Sequence, residues 1–132
     1  YAIGNEKLIK YMSDVKYSYN SYTMNETSLK LGVESVKDDA YFKKTCDAIV
    51  NTRENFTKEL LKLGFNVLPS KANFVFAGTD KMPASEIFAK ARENHIFFRY
   101  FAQNRIDNFL RITIGTDEDM ERVVRFLKDL LA

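Results

Sequence analysis

The chain has one cysteine, one histidine, two prolines, five glycines and no tryptophan in 132 residues. A lone cysteine, Cys46, excludes an internal disulfide framework. With His95 as the only histidine, a Ser-His-Asp triad or a His-rich metal centre would depend entirely on that one residue. No glycine-rich phosphate loop of the GxGxxG or GxxxxGK[ST] type occurs. No apolar run approaches the roughly 20 residues of a membrane span, and no signal-peptide pattern opens the chain. Charge of one sign is also lacking: 20 Lys+Arg against 18 Asp+Glu leave a net +2. That balance gives no strong field toward nucleic acid or a membrane, and no basic stripe accompanies the seven tyrosines that could stack bases. What remains is a 45% hydrophobic chain of ordinary domain length, enough to bury one core. A single soluble intracellular domain spanning 1–132 is expected. Because it begins Tyr1-Ala2-Ile3-Gly4 without an initiating Met, it is expected to be a piece of something larger.

Hydrophobic spacing predicts the elements. Leu8, Ile9 and Met12 mark a short helix over Glu6 to Val15, and the tyrosine-rich Tyr17 to Tyr22 reads as a loop. Leu29, Val33 and Val36 mark a second helix over Thr23 to Lys37. Phe42, Cys46, Ile49, Phe56, Leu60 and Leu63 form one face of a long third helix over Tyr41 to Leu63. Arg53 shares that stripe and needs an exposed end or a buried partner. Gly64 then supplies a left-handed cap. Phe65 to Leu68 and Asn73 to Ala77 read as strands, Pro83 opens a helix that ends at Asn94-His95, and Ile96 to Phe101 and Phe109 to Ile114 read as two further strands. Thr116 with Asp119 forms a capping box ahead of a final helix buried through Met120, Val123, Val124, Leu127, Leu130 and Leu131. Helices first, then mixed strands and helices, predict an α+β fold: a small, mostly antiparallel sheet packed against helices.

No catalytic centre can be assembled from these residues alone. His95 at a helix end reads as solvent-facing, and Cys46 on the apolar stripe reads as packing. Two arginines differ, because Arg99 sits inside IFFRYF and Arg111 inside FLRITI, among residues that favour burial. A guanidinium cannot shed its charge, so burial is costly unless an anion meets it. Its planar fork matches a carboxylate or a phosphate through two parallel hydrogen bonds. If the two strands are neighbours, both forks could converge on one anionic ligand. Alternatively, each points to solvent or pairs with a local acid such as Asp107.

The stretches LPSKANFVFA (Leu68 to Ala77), FFRYF (Phe97 to Phe101) and RIDNFLRITIGTDEDM (Arg105 to Met120) carry a family likeness. So do the opening YAIGN and NSYTMN (Asn20 to Asn25). Together they resemble the C-terminal part of the histidinol-phosphate aminotransferase family, a branch of the class I/II pyridoxal-phosphate-dependent aminotransferases of fold type I. The resemblance covers essentially the whole chain. It implies that Arg111 grips the carboxylate of amino-acid and oxo-acid substrates. In this branch it also implies that Arg111 and Arg99 together grip the substrate phosphate.

The resemblance further implies a cytoplasmic homodimeric enzyme of histidine biosynthesis, with pyridoxal 5'-phosphate as cofactor. That enzyme would move an amino group between L-histidinol phosphate and 2-oxoglutarate. The family's cofactor-anchoring lysine is expected upstream of a YAIG-like segment, and no lysine here lies in such a motif. The chain is therefore expected to be the detached small domain, inactive by itself, holding substrate-binding arginines but no catalytic, cofactor-binding or metal-binding residue. Two other readings stay open: an aminotransferase of other amino-acid specificity, and a stand-alone anion-binding or interaction module without catalysis.

Overall fold

The computed structural model describes all 132 residues, which fold as two compact units, Tyr1–Phe42 and Lys43–Ala132. In the first unit, helix α1 (Glu6–Tyr19) is capped by the Asn5 side chain, which accepts from the Lys7 amide. Helix α2 (Glu26–Lys37) is capped by Asn25, which accepts from the Ser28 amide. The expected loop over Tyr17 to Tyr22 is corrected here. The helix runs on to Tyr19 and stops at Asn20, because tyrosine and serine tolerate helix and nothing earlier breaks it. Likewise α2 begins three residues after Thr23, where Asn25 supplies the cap. Neither helix buries any residue.

The long helix α3 (Asp39–Lys62) buries Phe56 and Leu60 and ends where Gly64 adopts φ +87°. The apolar stripe expected along it is buried only at its C-terminal end. Phe42 is exposed, Cys46 and Ile49 are half-buried, and Phe56 and Leu60 lie in the core. Four strands follow in a sheet of order β1-β2-β4-β3, every neighbouring pair antiparallel. They are β1 (Asn66–Leu68), β2 (Phe74–Gly78), β3 (Arg99–Tyr100) and β4 (Leu110–Thr113). Helix α4 (Ala84–Glu93) lies between β2 and β3, and helix α5 (Asp117–Leu131) closes the chain. The α+β architecture with an antiparallel sheet is thus as expected.

Strand β3 is shorter than the sequence pattern suggested. The Ile96 amide donates to the Ala91 carbonyl as part of the α4 terminus, at 2.8 Å, so it is spent on the helix rather than on a ladder. Pairing is confined to Arg99 with Arg111 and Tyr100 with Leu110. Ile96 and Phe98 still point into the core, with Phe97 exposed between them.

One face of the sheet makes the core. Val75, Ala77, Leu110 and Ile112 lie on it, against Phe56 and Leu60 of α3, Ala84, Ile87 and Ala91 of α4, and Met120, Val123 and Leu127 of α5. All three helices therefore cover the same side, which leaves the other side of the sheet open. Burial of these side chains, at roughly 1.5–3 kcal/mol for each large one, is what holds the layer together.

Candidate functional site

The open face is built by strand alternation. Along β4, Leu110 and Ile112 are buried while Arg111 and Thr113 are exposed. Along β2, Val75 and Ala77 turn inward, leaving Phe74 and Phe76 half-buried on the other side. Cross-strand register then assembles one surface: Phe74 opposite Thr113, Phe76 opposite Arg111, and Arg99 opposite Arg111. The two arginines singled out in the sequence are thus direct cross-strand partners on the same face.

That arrangement opposes like charges, which disfavours the sheet unless something offsets it. No carboxylate of this chain does so. Its ion pairs lie elsewhere, among them Lys10–Asp14, Lys30–Glu26, Lys37–Glu34 and Lys62–Glu59. The proposed local partner Asp107 makes no ion pair with either guanidinium, which removes one of the two bland readings. Aromatic faces meet the charges instead. The Arg111 Cζ lies 5.1 Å from the centroid of Phe74, and the Arg99 Cζ 5.5 Å from that of Phe101. Both distances fall within cation–π range. Phe76 stacks on Phe109 at 5.0 Å, so the floor around Arg111 is aromatic.

The loops that frame this face are tied down. The Ile114 amide donates to the Asn73 carbonyl at 2.9 Å, which extends the pairing of β2 with β4 beyond the ladder. Between β1 and β2, the Ser70 hydroxyl donates to the Phe74 carbonyl at 2.6 Å and accepts from the Ala72 amide at 3.1 Å. Arg53 reaches the same turn from α3. It is 9% exposed, and its Nη1 donates to the Ala72 carbonyl at 3.0 Å. This is the buried partner its place on the apolar stripe required, and its role is to anchor the turn ahead of Phe74. On the far side, the Asn108 side-chain amide donates to the Thr79 carbonyl at 3.3 Å. Gly78 is packed so closely on the Asn108 carbonyl that a Cβ there has no room.

His95 and Cys46 take no part in this face. His95 is exposed at the end of α4 with φ +57°, and its amide donates to the Arg92 carbonyl. Cys46 is half-buried on α3 and unpaired. A groove of the second unit also lies elsewhere, between α3 and α5, where it is lined by Thr52, Phe56, Asp117 and Met120. There the Thr52 hydroxyl donates to Asp117 Oδ1 at 2.6 Å, so these two groups are partnered with each other. The arginine face is an open surface on which Arg99 and Arg111 are both exposed. Sequence reading missed the aromatic residues of that face. The alternation in FVFAG and LRIT was the available signal, since it places Phe74, Phe76 and Arg111 on one side.

Comparison with known proteins adds a second line. The family described as "Aminotransferase class I and II" matches residues 1–127. A histidinol-phosphate aminotransferase of Brachyspira hyodysenteriae is 44% identical over 131 residues, 99% of this chain and 37% of that protein. Its counterpart in Lactococcus lactis subsp. cremoris is 45% identical over 130 residues, 98% of this chain and 36% of that protein. This chain thus spans little more than a third of the length of these relatives. Among solved structures, the histidinol-phosphate aminotransferase of Sinorhizobium meliloti, in complex with pyridoxal-5'-phosphate, superposes with a TM-score of 0.72. At 22% identity, over 89% of this chain and 34% of that one, it shows the fold alone.

Proposed function

The chain belongs to the aminotransferase class I and II family, and from that premise we propose that it is the C-terminal small domain of a pyridoxal-phosphate-dependent enzyme. The reaction we assign is amino transfer between L-histidinol phosphate and 2-oxoglutarate, in histidine biosynthesis. The observation that carries this reading is the Arg99–Arg111 pair, two uncompensated forks on one open face. The substrates alternate between a phosphate monoester and a dicarboxylate, and guanidinium forks suit both groups. Arg111 binds the carboxylate of the oxo acid, and Arg99 joins it on the phosphate.

When bound, pyridoxal phosphate supplies an electron sink at the amino-bearing carbon. The lysines of this chain do not fit its anchoring: every one is exposed, whereas a reactive lysine needs a desolvated setting. No covalent role is therefore assigned to them, and residues 1–132 are expected to be inactive alone. What these residues do is bind and orient the anionic end of the substrate. The lone unpaired Cys46 fits a reducing compartment. We accordingly place the parent enzyme in the cytoplasm, as a homodimer in keeping with its family.

The test is an amino-transfer assay on the full-length protein carrying this chain. Wild type should transfer from L-histidinol phosphate to 2-oxoglutarate. Arg111→Gln should lower kcat/KM at least about thirty-fold, as losing one partner of a bound charge pair does, with unchanged circular dichroism. Equal efficiency in the variant sinks the role of Arg111. Transfer from other amino acids but not from histidinol phosphate favours a different specificity.

A further inference from the structure

Two rings of the open face, Phe74 and Phe101, lie against the arginines. Phe74 is registered with Thr113, two residues beyond Arg111 along β4. Phe101 lies two residues beyond Arg99 on a strand that runs the opposite way, as the pairing of Tyr100 with Leu110 shows. The rings therefore sit at opposite ends of the arginine pair along the strand direction. Each guanidinium is seated over one of them, at 5.1 Å for Arg111 on Phe74 and 5.5 Å for Arg99 on Phe101. Neither arginine has a carboxylate to hold it, and each repels the other across the rung.

We propose that Phe74 and Phe101 are positioning residues, each holding one guanidinium of the pair over its ring face. The inference rests on the arginine pair being the anion site. Two physical points support it. An exposed arginine side chain has considerable rotamer freedom, and a ring face that seats the planar cation removes part of it before a ligand arrives. The ring contact also occupies none of the guanidinium's N–H donors with a hydrogen-bond acceptor, so they remain for a carboxylate.

The experiment is a double-mutant cycle on the full-length protein carrying this chain, read as glutarate affinity from calorimetric titrations. Arg111→Gln should abolish most of the affinity. Phe74→Leu should weaken glutarate about two- to five-fold, the range of an exposed cation–π contact, and Phe74→Tyr should restore it. In the Arg111→Gln background, Phe74→Leu should then have no further effect, because the ring acts through the arginine. An equal loss in both backgrounds overturns the positioning role and leaves the anion site standing. No glutarate binding by wild type, or no loss in Arg111→Gln, overturns the anion site itself. Should Phe74→Leu lose the wild-type circular dichroism, the cycle of Phe101→Leu with Arg99→Gln answers the same question at a ring outside the strands. There an equal loss in both backgrounds again counts against the proposal.

Discussion

Two guanidinium groups facing each other on one ladder rung, with no carboxylate between them, form an arrangement that a sheet selected for stability alone would avoid. Directly opposed like charges cost about 0.2–1 kcal/mol. Arg111→Gln removes that repulsion together with the Phe74 contact, so the melting temperature of the variant relative to wild type is expected to be higher at low ionic strength than in about 1 M salt, where the Debye length is near 3 Å. Parallel thermal melts at the two salt concentrations check this, and a difference independent of salt would count against repulsion across the rung. Both arginines stood out in the sequence because each interrupts an apolar strand. Whether they met was not legible there. Alternation fixes only the parity of each strand, while the register of 99 with 111 depends on how the intervening loop closes. The buried Arg53 was visible as an anomaly on a helical stripe, but its partner is a backbone carbonyl, which leaves no trace in side-chain identity.

At the level of elements, local chemistry read well wherever it is short-range. The Thr116–Asp119 capping box is present: the Thr116 hydroxyl and amide donate to Asp119 Oδ2 at 2.7 and 3.0 Å, and Thr116 Oγ1 accepts from the Asp119 amide at 3.2 Å. Gly64 takes the left-handed conformation that ends α3. Elements whose limits depend on distant partners read less well. β3 shrank to two residues because Ile96 serves the α4 terminus, and α1 outran its apolar stripe. The capping box also sets a pH dependence. Hydrogen bonds from the Thr116 side chain and amide hold the Asp119 carboxyl below its ordinary 3.8. A lowered folded pKa means the contribution is present above the unfolded value and is lost as pH falls through the folded one. Thr116→Ala should therefore cost about 1 kcal/mol at neutral pH, and the difference from wild type should shrink below the ordinary 3.8. Denaturant titrations at both pH values test this, and a difference that stays constant or grows in acid contradicts it.

Over the whole molecule, the two units differ in how well they are held. Residues 43–132 bury a core beneath one face of the sheet, while α1 and α2 bury nothing and leave Tyr11, Met12, Val15 and Leu31 exposed. The α+β class and the helical faces were legible from periodicity. The exposure of the first unit was not, because an amphipathic pattern reports that a helix has an apolar side without reporting what covers it. The same holds for the proposed site: the open face has a recognisable sequence, but what covers it is not specified by these residues. The central claim is that the open sheet face receives the anionic end of the substrate. A crystal structure of the full-length protein with glutarate tests it most directly. Carboxylate oxygens should lie at about 2.7–2.9 Å from the guanidinium nitrogens of Arg111. Glutarate ordered elsewhere, with both guanidinium groups still seated on Phe74 and Phe101 and turned to solvent, would contradict it.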